Sequence, residues 1–277
     1  MTGDSEKFAR LGRPRRVWAI GAVHGAVDRL VALHDHVLAH FALGDRLVYL
    51  GNLIGYSDRL HALVDEVLSM RRALIARPGM LAEDVVFLRG AQEEMWQKML
   101  QLQFAPNPQD VLRWMLAQGV EPTLRAYGGR AEEGLAAARE GAIRLTRWTN
   151  GLRESIRSAP GHNALYAALR RAAFTERGGT DGGAEGGGGA LFVSAGIDPS
   201  RPLAAQGDAF WWSSGSFAAI TAPFDGFHRL VRGHDPAGGG LQLEGMAVTL
   251  DSGCGRGGRL AAGLFEPDGS LIEIVEV

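Results

Sequence analysis

The sequence predicts an α/β fold in which two facing mixed sheets are flanked by helices and interrupted by a helical insertion. Three observations carry this expectation. Short apolar runs alternate with amphipathic helical patterns in the first part of the chain. A long Ala- and Leu-rich stretch, about 91–174, reads as helix with a few breaks. Short strands separated by turn residues fill the remainder. Alternation of strand and helix argues for parallel pairing with crossover helices, and the later strands for a more antiparallel half.

Taken in order, Val17-Trp18-Ala19-Ile20 opens a buried strand at 17–22. A helix is expected over 26–41, where Leu30, Leu33, Val37 and Leu38 fall at helical spacing. A strand at 46–50, a helix at 58–75 and a strand at 84–88 complete the parallel half. The helical stretch breaks at 106–108, 119–122, 128–129 and 159–161, where Gly and Pro collect. Residues 178–189 are Gly-rich without an apolar anchor, which predicts a flexible surface loop. Strands are expected at 190–194, 229–232, 246–251, 259–265 and 270–275, the last two joined by the Glu266-Pro267-Asp268-Gly269 hairpin turn. The whole of 1–277 is expected to form a single domain. The carboxyl ends of its strands would converge on one crevice, the usual place for a site in such sheets.

Composition narrows the function classes. The chain has 277 residues, 46% hydrophobic and 22% charged, enough to bury a sizeable core. A formal net charge of −2 offers no global basic field for nucleic acid or a membrane surface. The basic run Arg13-Pro14-Arg15-Arg16 reads as a solvated approach to the first strand. Cys254 is the only cysteine, so no intrachain disulfide forms, which suits a reducing compartment. No apolar stretch reaches the roughly 18 residues a membrane span needs. The first residues lack the apolar core of a signal peptide. The expected localisation is cytoplasmic, and the oligomeric state is left open.

A series of motifs points further. Trp18-Ala19-Ile20-Gly21-Ala22-Val23-His24-Gly25 follows the first strand and Leu50-Gly51-Asn52-Leu53-Ile54-Gly55-Tyr56-Ser57 the second. Phe87-Leu88-Arg89-Gly90-Ala91-Gln92-Glu93 follows the third. Thr123-Leu124 and Tyr127 lie in the 119–128 segment. Phe192-Val193-Ser194-Ala195-Gly196-Ile197, Arg232-Gly233-His234-Asp235-Pro236 and Leu250-Asp251-Ser252-Gly253-Cys254 with Gly257-Gly258-Arg259-Leu260 complete the series. In this order, over nearly the whole chain, they resemble the motifs of the calcineurin-like metallophosphoesterases. The branch that they resemble holds bacterial serine/threonine phosphatases and diadenosine-tetraphosphate hydrolases. The resemblance implies a four-layer sandwich and, in active members, a two-metal centre that hydrolyses phosphate esters.

Measured against that resemblance, the chemistry is missing. Two adjacent dications need anionic ligands and a bridging carboxylate to offset their repulsion. Ala22 stands where the first motif has an Asp ligand, and Asn52 where the bridging Asp belongs. Ala91 replaces an Asn ligand and Ser194 a His. Only His24 and His234 match. The general acid position holds Gln92, an amide that transfers no proton near neutral pH. Its partner Asp corresponds to Gly55, and a phosphate-binding Arg to Tyr56. A further Arg position falls on Ser213 or Ser214. The framing glycines and apolar residues are kept.

The leading expectation is therefore a degenerate, catalytically silent phosphatase-like protein, with no catalytic residues, metal or cofactor expected. It would bind a phosphorylated protein or small phosphoanion, or a partner protein. Arg89, Arg232, His24 and His234, helped by backbone N–H groups at Gly25 and Gly51, are the anion-binding candidates. One alternative is a residual phosphoesterase with a single Mn, Fe or Zn ion on His24, Asn52, His234 and a carboxylate such as Asp235 or Asp251. Another is a structural interaction protein with a collapsed crevice. His36 and His40, four apart on a helix, read as exposed residues before they read as ligands. Glu93 and Glu94 read as the acidic first turn of a helix. Ser194 lacks a nucleophile elbow and Cys254 lacks a base, so both read as structural. Trp211 and Trp212 are read as rim or core.

Overall fold

The computed structural model describes residues 7–176, 189–212 and 217–277. Most of the expected Gly-rich loop, together with Ser213 and Ser214, lies outside the described residues. The N-terminal elements are β1 (Phe8–Arg10), β2 (Val17–Ile20), α1 (Val27–His40), β3 (Arg46–Tyr49), α2 (Leu60–Ile75) and β4 (Val85–Phe87). The insertion carries α3 (Ala91–Leu100), α4 (Pro108–Met115), α5 (Glu121–Ala126), α6 (Ala131–Glu140), α7 (Ala142–Ser158) and α8 (His162–Ala168). The chain then forms β5 (Ala172–Phe174), β6 (Ala190–Val193), α9 (Ala209–Trp212), β7 (Arg229–Arg232), β8 (Ala247–Thr249), β9 (Ala261–Phe265) and β10 (Leu271–Glu276).

The strands build two mixed five-stranded sheets, in the orders β1-β5-β6-β7-β8 and β10-β9-β2-β3-β4. Pairing of β2, β3 and β4 is parallel, as is that of β6, β7 and β8, while β9 and β10 form an antiparallel hairpin. Alternation along each strand sorts its side chains into layers. Val17, Ala19, Val48 and Phe265 of one sheet meet Ala173, Phe192, Val231 and Val248 of the other in a central core. Trp18, Ile20, Leu47 and Tyr49 face outward under α1, α2 and the insertion. The outer face of the other sheet is covered by Phe210, Trp211, Phe217, Phe224 and Phe227, so its outer layer is short α9 and loops.

The short edge strand β1 and its partner β5 were not expected from the sequence. Each is three residues long and hydrogen-bonded parallel to the other, a long-range pairing with no local period to announce it. Every other expected strand is present, most of them trimmed by a residue or two.

The two sheets touch closely where their strands end. The Ala22 N–H donates to the Gly233 carbonyl at 2.9 Å, joining the loop after β2 to the loop after β7. A Cβ at Gly233 would lie 2.3 Å from the Leu50 Cβ, so only glycine permits this approach. The loops after β2, β3, β4, β6, β7 and β8 therefore all leave from one end of the sandwich. Gly233→Ala is expected to destabilise the fold by about 1–3 kcal/mol through overpacking. Urea denaturation checks this, and an unchanged midpoint would mean that the sheets separate there at no cost.

Candidate functional site

A cavity of about 450 Å³ opens where these loops converge. Its walls include His24 from the loop after β2, Asn52 and Tyr56 from that after β3, and Ala91 and Gln92 at the start of α3. His234 follows β7, and Asp251 and Ser252 follow β8. Of the degenerate positions, Asn52, Tyr56, Ala91 and Gln92 thus share one cavity. Ala22, Gly55 and Ser194 pack behind it and are not on its wall. Trp211 and Trp212 supply an aromatic side, Trp211 buried with its indole N–H on the Arg89 carbonyl at 3.0 Å, Trp212 half-exposed.

The loops are held in strained backbone. His24, Asn52 and Tyr56 have φ of 50°, 52° and 58°, the left-handed region that L side chains other than Asn seldom occupy. Only one other described non-glycine residue, Asp225, shares it. A hydrogen-bonded frame enforces these turns. The buried Glu93 carboxylate accepts N–H groups from Gly90 (2.7 Å), Asn52 (2.9 Å) and Ile54 (3.1 Å). Burial pushes its pKa up, and those N–H groups oppose the rise. The Asn52 Oδ1 in turn accepts the Gln92 N–H at 3.0 Å.

The insertion is fastened to two of the degenerate positions. The Gln92 Nε2 donates to the Gln118 carbonyl at 2.7 Å, and the Tyr56 N–H to the Gly119 carbonyl at 3.0 Å. Gly119 sits in a π-type turn with φ 88°, where a Cβ would lie 2.5 Å from the Tyr56 ring.

The two histidines meet edge to face, with ring centroids 5.3 Å apart, and the Tyr56 ring packs 5.1 Å from His24. The Asp251 Oδ2 lies 3.0 Å from the His234 Nδ1 and accepts the Asp235 N–H at 2.9 Å, and its Oδ1 accepts the Gly253 N–H. Burial pushes the Asp251 carboxyl up, but His234 and the two N–H groups outweigh it and hold the pKa at about 2. His24 moves to about 3, chiefly because it is buried, with His234 and Arg256 adding to the shift and Asp251 opposing it. Its imidazole is therefore neutral.

The expected grouping of Arg89 and Arg232 with the two histidines is not what the fold delivers. Arg232 is buried in the other sheet, paired with Asp235 at 3.2 Å and Thr249 at 2.9 Å, and lies over the Phe217 ring. Arg89 pairs with Glu94 at 3.1 Å beside a separate cavity. Asp251, and not Asp235, orients His234. The Gly25 N–H is taken by the Leu53 carbonyl. The one cationic side chain on the cavity wall among the described residues is Arg256, which sequence reasoning passed over. Elsewhere, His36 pairs with Glu273, and His40 bonds the His36 carbonyl. Cys254 is buried, its thiol on the Val23 carbonyl.

Four atoms on wall residues have no hydrogen-bond partner among the described residues: His24 Nδ1, Asn52 Nδ2, Gln92 Oε1 and Ser252 Oγ. The first three belong to side chains more than nine-tenths buried. Such atoms are costly unless something pairs with them.

No family model matches this sequence, and no curated protein does. Solved structures are similar over almost its full length. A candidate diadenosine tetraphosphatase covers 98% of this chain and 98% of its own, at 18% identity and TM-score 0.53. A protein serine/threonine phosphatase from Saccharomyces cerevisiae, with similarity to human phosphatase PP5, covers 98% of this chain and 84% of its own, at 16% identity and TM-score 0.54. The chain has the calcineurin-like phosphoesterase fold. The cavity opens where that fold's motif loops gather.

The motif resemblance implies two metal ions at these loops, and the donors present here do not fit them. Asn52 is neutral and its Oδ1 is already engaged. Asp251 already takes three hydrogen bonds. Among the described residues, no group of three or more His, Cys, Asp or Glu is placed to hold a metal ion. Two dications would face two imidazoles and no free carboxylate.

The neutral His24 links stability to pH. Unfolded, it binds a proton near 6.5; folded, it does so only near 3. Between those values the unfolded state holds the extra proton, so the His24 contribution weakens as pH falls. Relative to wild type, His24→Asn is expected to gain about 1.4 kcal/mol per pH unit from pH 6 to 4. Denaturation midpoints across that range check this, and parallel curves would contradict it.

Proposed function

We propose that this protein is a pseudophosphatase, a phosphoesterase fold that binds a phosphoanion without hydrolysing it. The observation that carries the reading is the set of unpartnered polar atoms on buried side chains that line the cavity, beside a donor set unsuited to metal. Asn52 Nδ2 and Ser252 Oγ can donate hydrogen bonds, His24 does so in one tautomer, and Arg256 adds a positive charge. Neutral donors in a sheltered cavity favour an oxyanion. A phosphorylated side chain of a partner protein and a small phosphate compound share this chemistry. An open cavity of about 450 Å³ argues against the reading in which the crevice has collapsed.

A second reading, a residual phosphoesterase with one metal ion, draws on the adjacency of His24 and His234 and on the Asp251 carboxylate that orients His234. Such an orienting carboxylate is common behind a ligating histidine. The missing third donor weighs against it.

Metal analysis and a phosphate-ester assay in excess Mn²⁺ separate the two. The expected result is substoichiometric metal and no turnover above that of His24→Asn. Stoichiometric metal, with turnover that this variant loses, would overturn the first reading. Inorganic phosphate is also expected to raise the melting temperature, by the equivalent of about 2.7 kcal/mol at a hundred times its Kd, and Asn52→Leu to lose that shift.

A further inference from the structure

We propose that the chain holds a second ligand site, a cleft between the free edges of its two sheets that takes an amphipathic anion: a carboxylate or phosphate head on a short apolar body. β1 and β4 are each the last strand of their sheet, so both present an open edge. One segment ties the two edges together at one end. The Arg170 N–H donates to the Phe87 carbonyl at 2.8 Å, and the next residue, Arg171, donates its N–H to the Lys7 carbonyl at 2.8 Å. No further strand covers either edge among the described residues, and a cleft of about 370 Å³ opens there. It shares no wall residue with the motif-loop cavity, so the inference is independent of the pseudophosphatase reading.

Three arginines from separate elements reach this cleft: Arg10 from β1, Arg71 from α2 and Arg170 from the segment after α8. Arg10 is exposed, and Arg71 and Arg170 are half-buried, so all three are open to a ligand. None forms an ion pair among the described residues. Arg170 turns one nitrogen to the Ala168 and Leu169 carbonyls, and Arg10 lies over the Phe174 ring. Arg71 has no hydrogen bond among the described residues. The one acidic wall residue, Glu83, is exposed and pairs with none of them. The whole chain has a net charge of −2, so this local excess of cations does not reflect a generally basic surface. Half-buried cations without a counter-charge are costly, and an anion in the cleft offsets that cost. A guanidinium pairs with carboxylate and phosphate alike. The rest of the wall is apolar and includes Phe8, Ala9 and Ala168. A cleft of this size, largely apolar with a few charged groups, suits a small organic molecule better than a bare ion.

Titration calorimetry on the full chain tests this, with octanoate and octyl phosphate as probes. At least one of the two is expected to bind, and which one identifies the preferred head. Acetate, a head without a body, and octanol, a body without a head, should each bind at least about tenfold more weakly. Arg71→Gln, checked for folding by circular dichroism, should weaken the octyl anion at least about tenfold. Arg72→Gln, which alters an exposed neighbour on α2 that is not on the wall, should leave binding within about twofold of wild type. Binding of neither octyl anion would overturn the inference, as would acetate or octanol binding as tightly. Equal losses in the two arginine variants would also overturn it, since the effect would then be one of general charge. Binding that survives Arg71→Gln but is lost in Asn52→Leu would place the probe in the motif-loop cavity, overturning this inference and favouring the anion-binding reading of that cavity. The comparison of head and body in the wild type decides the matter even if Arg71→Gln does not fold.

Discussion

The Glu93 carboxylate is the interaction on which the rest of the site depends. It is buried at the start of α3 and gathers N–H groups from Gly90, Asn52 and Ile54. Through it the loop after β3 and the loop after β4 become one rigid piece. Asn52 answers by accepting the Gln92 N–H, so each loop caps the other. The left-handed backbone at Asn52 and Tyr56 persists because this frame holds the chain on both sides. His24 is drawn into the same piece, since its N–H donates to the Asn52 carbonyl at 2.7 Å. A carboxyl group that is expensive to bury is tolerated because three fixed N–H dipoles meet it.

On the proposed reading, that frame lets a site lose its chemistry and keep its shape. The turns are set by backbone hydrogen bonds and by close contacts between the sheets. Neither requires an ionisable side chain at Ala22, Asn52 or Ala91. On the proposed reading, metal-binding groups and scaffold are separable here. What remains is a polar cavity whose buried atoms still need partners.

Much of the fold was legible because its signals are local. The apolar runs at 17–22 and 46–50 and the helical spacing of Leu30, Leu33 and Val37 reported their elements directly. β1 and β5 escaped because a three-residue strand has no period, and their pairing spans more than 160 residues of chain. In the site, the motif order singles out His24, Asn52, Tyr56, Gln92 and His234, which line one cavity. It misled for Arg89 and Arg232, since sequence proximity to a motif says nothing of which face a side chain takes. In a buried strand such as β7, Arg232 had to find a carboxylate, and Asp235 lies three residues on. The roles of Asp251 and Arg256 depend on how the loop after β8 folds over His24, which no local pattern encodes.

The attachment of the insertion to Tyr56 and Gln92 bears on the history of the chain. Both residues stand where the resemblance expects groups that handle phosphate and protons, yet here each also secures the turn at Gln118 and Gly119. Gln92 does so through its side chain and Tyr56 through its backbone N–H, so it is the Gln92 amide whose replacement would remove structure. On the proposed reading, a return to hydrolysis at position 92 would first cost stability, so that the departure works there as a ratchet.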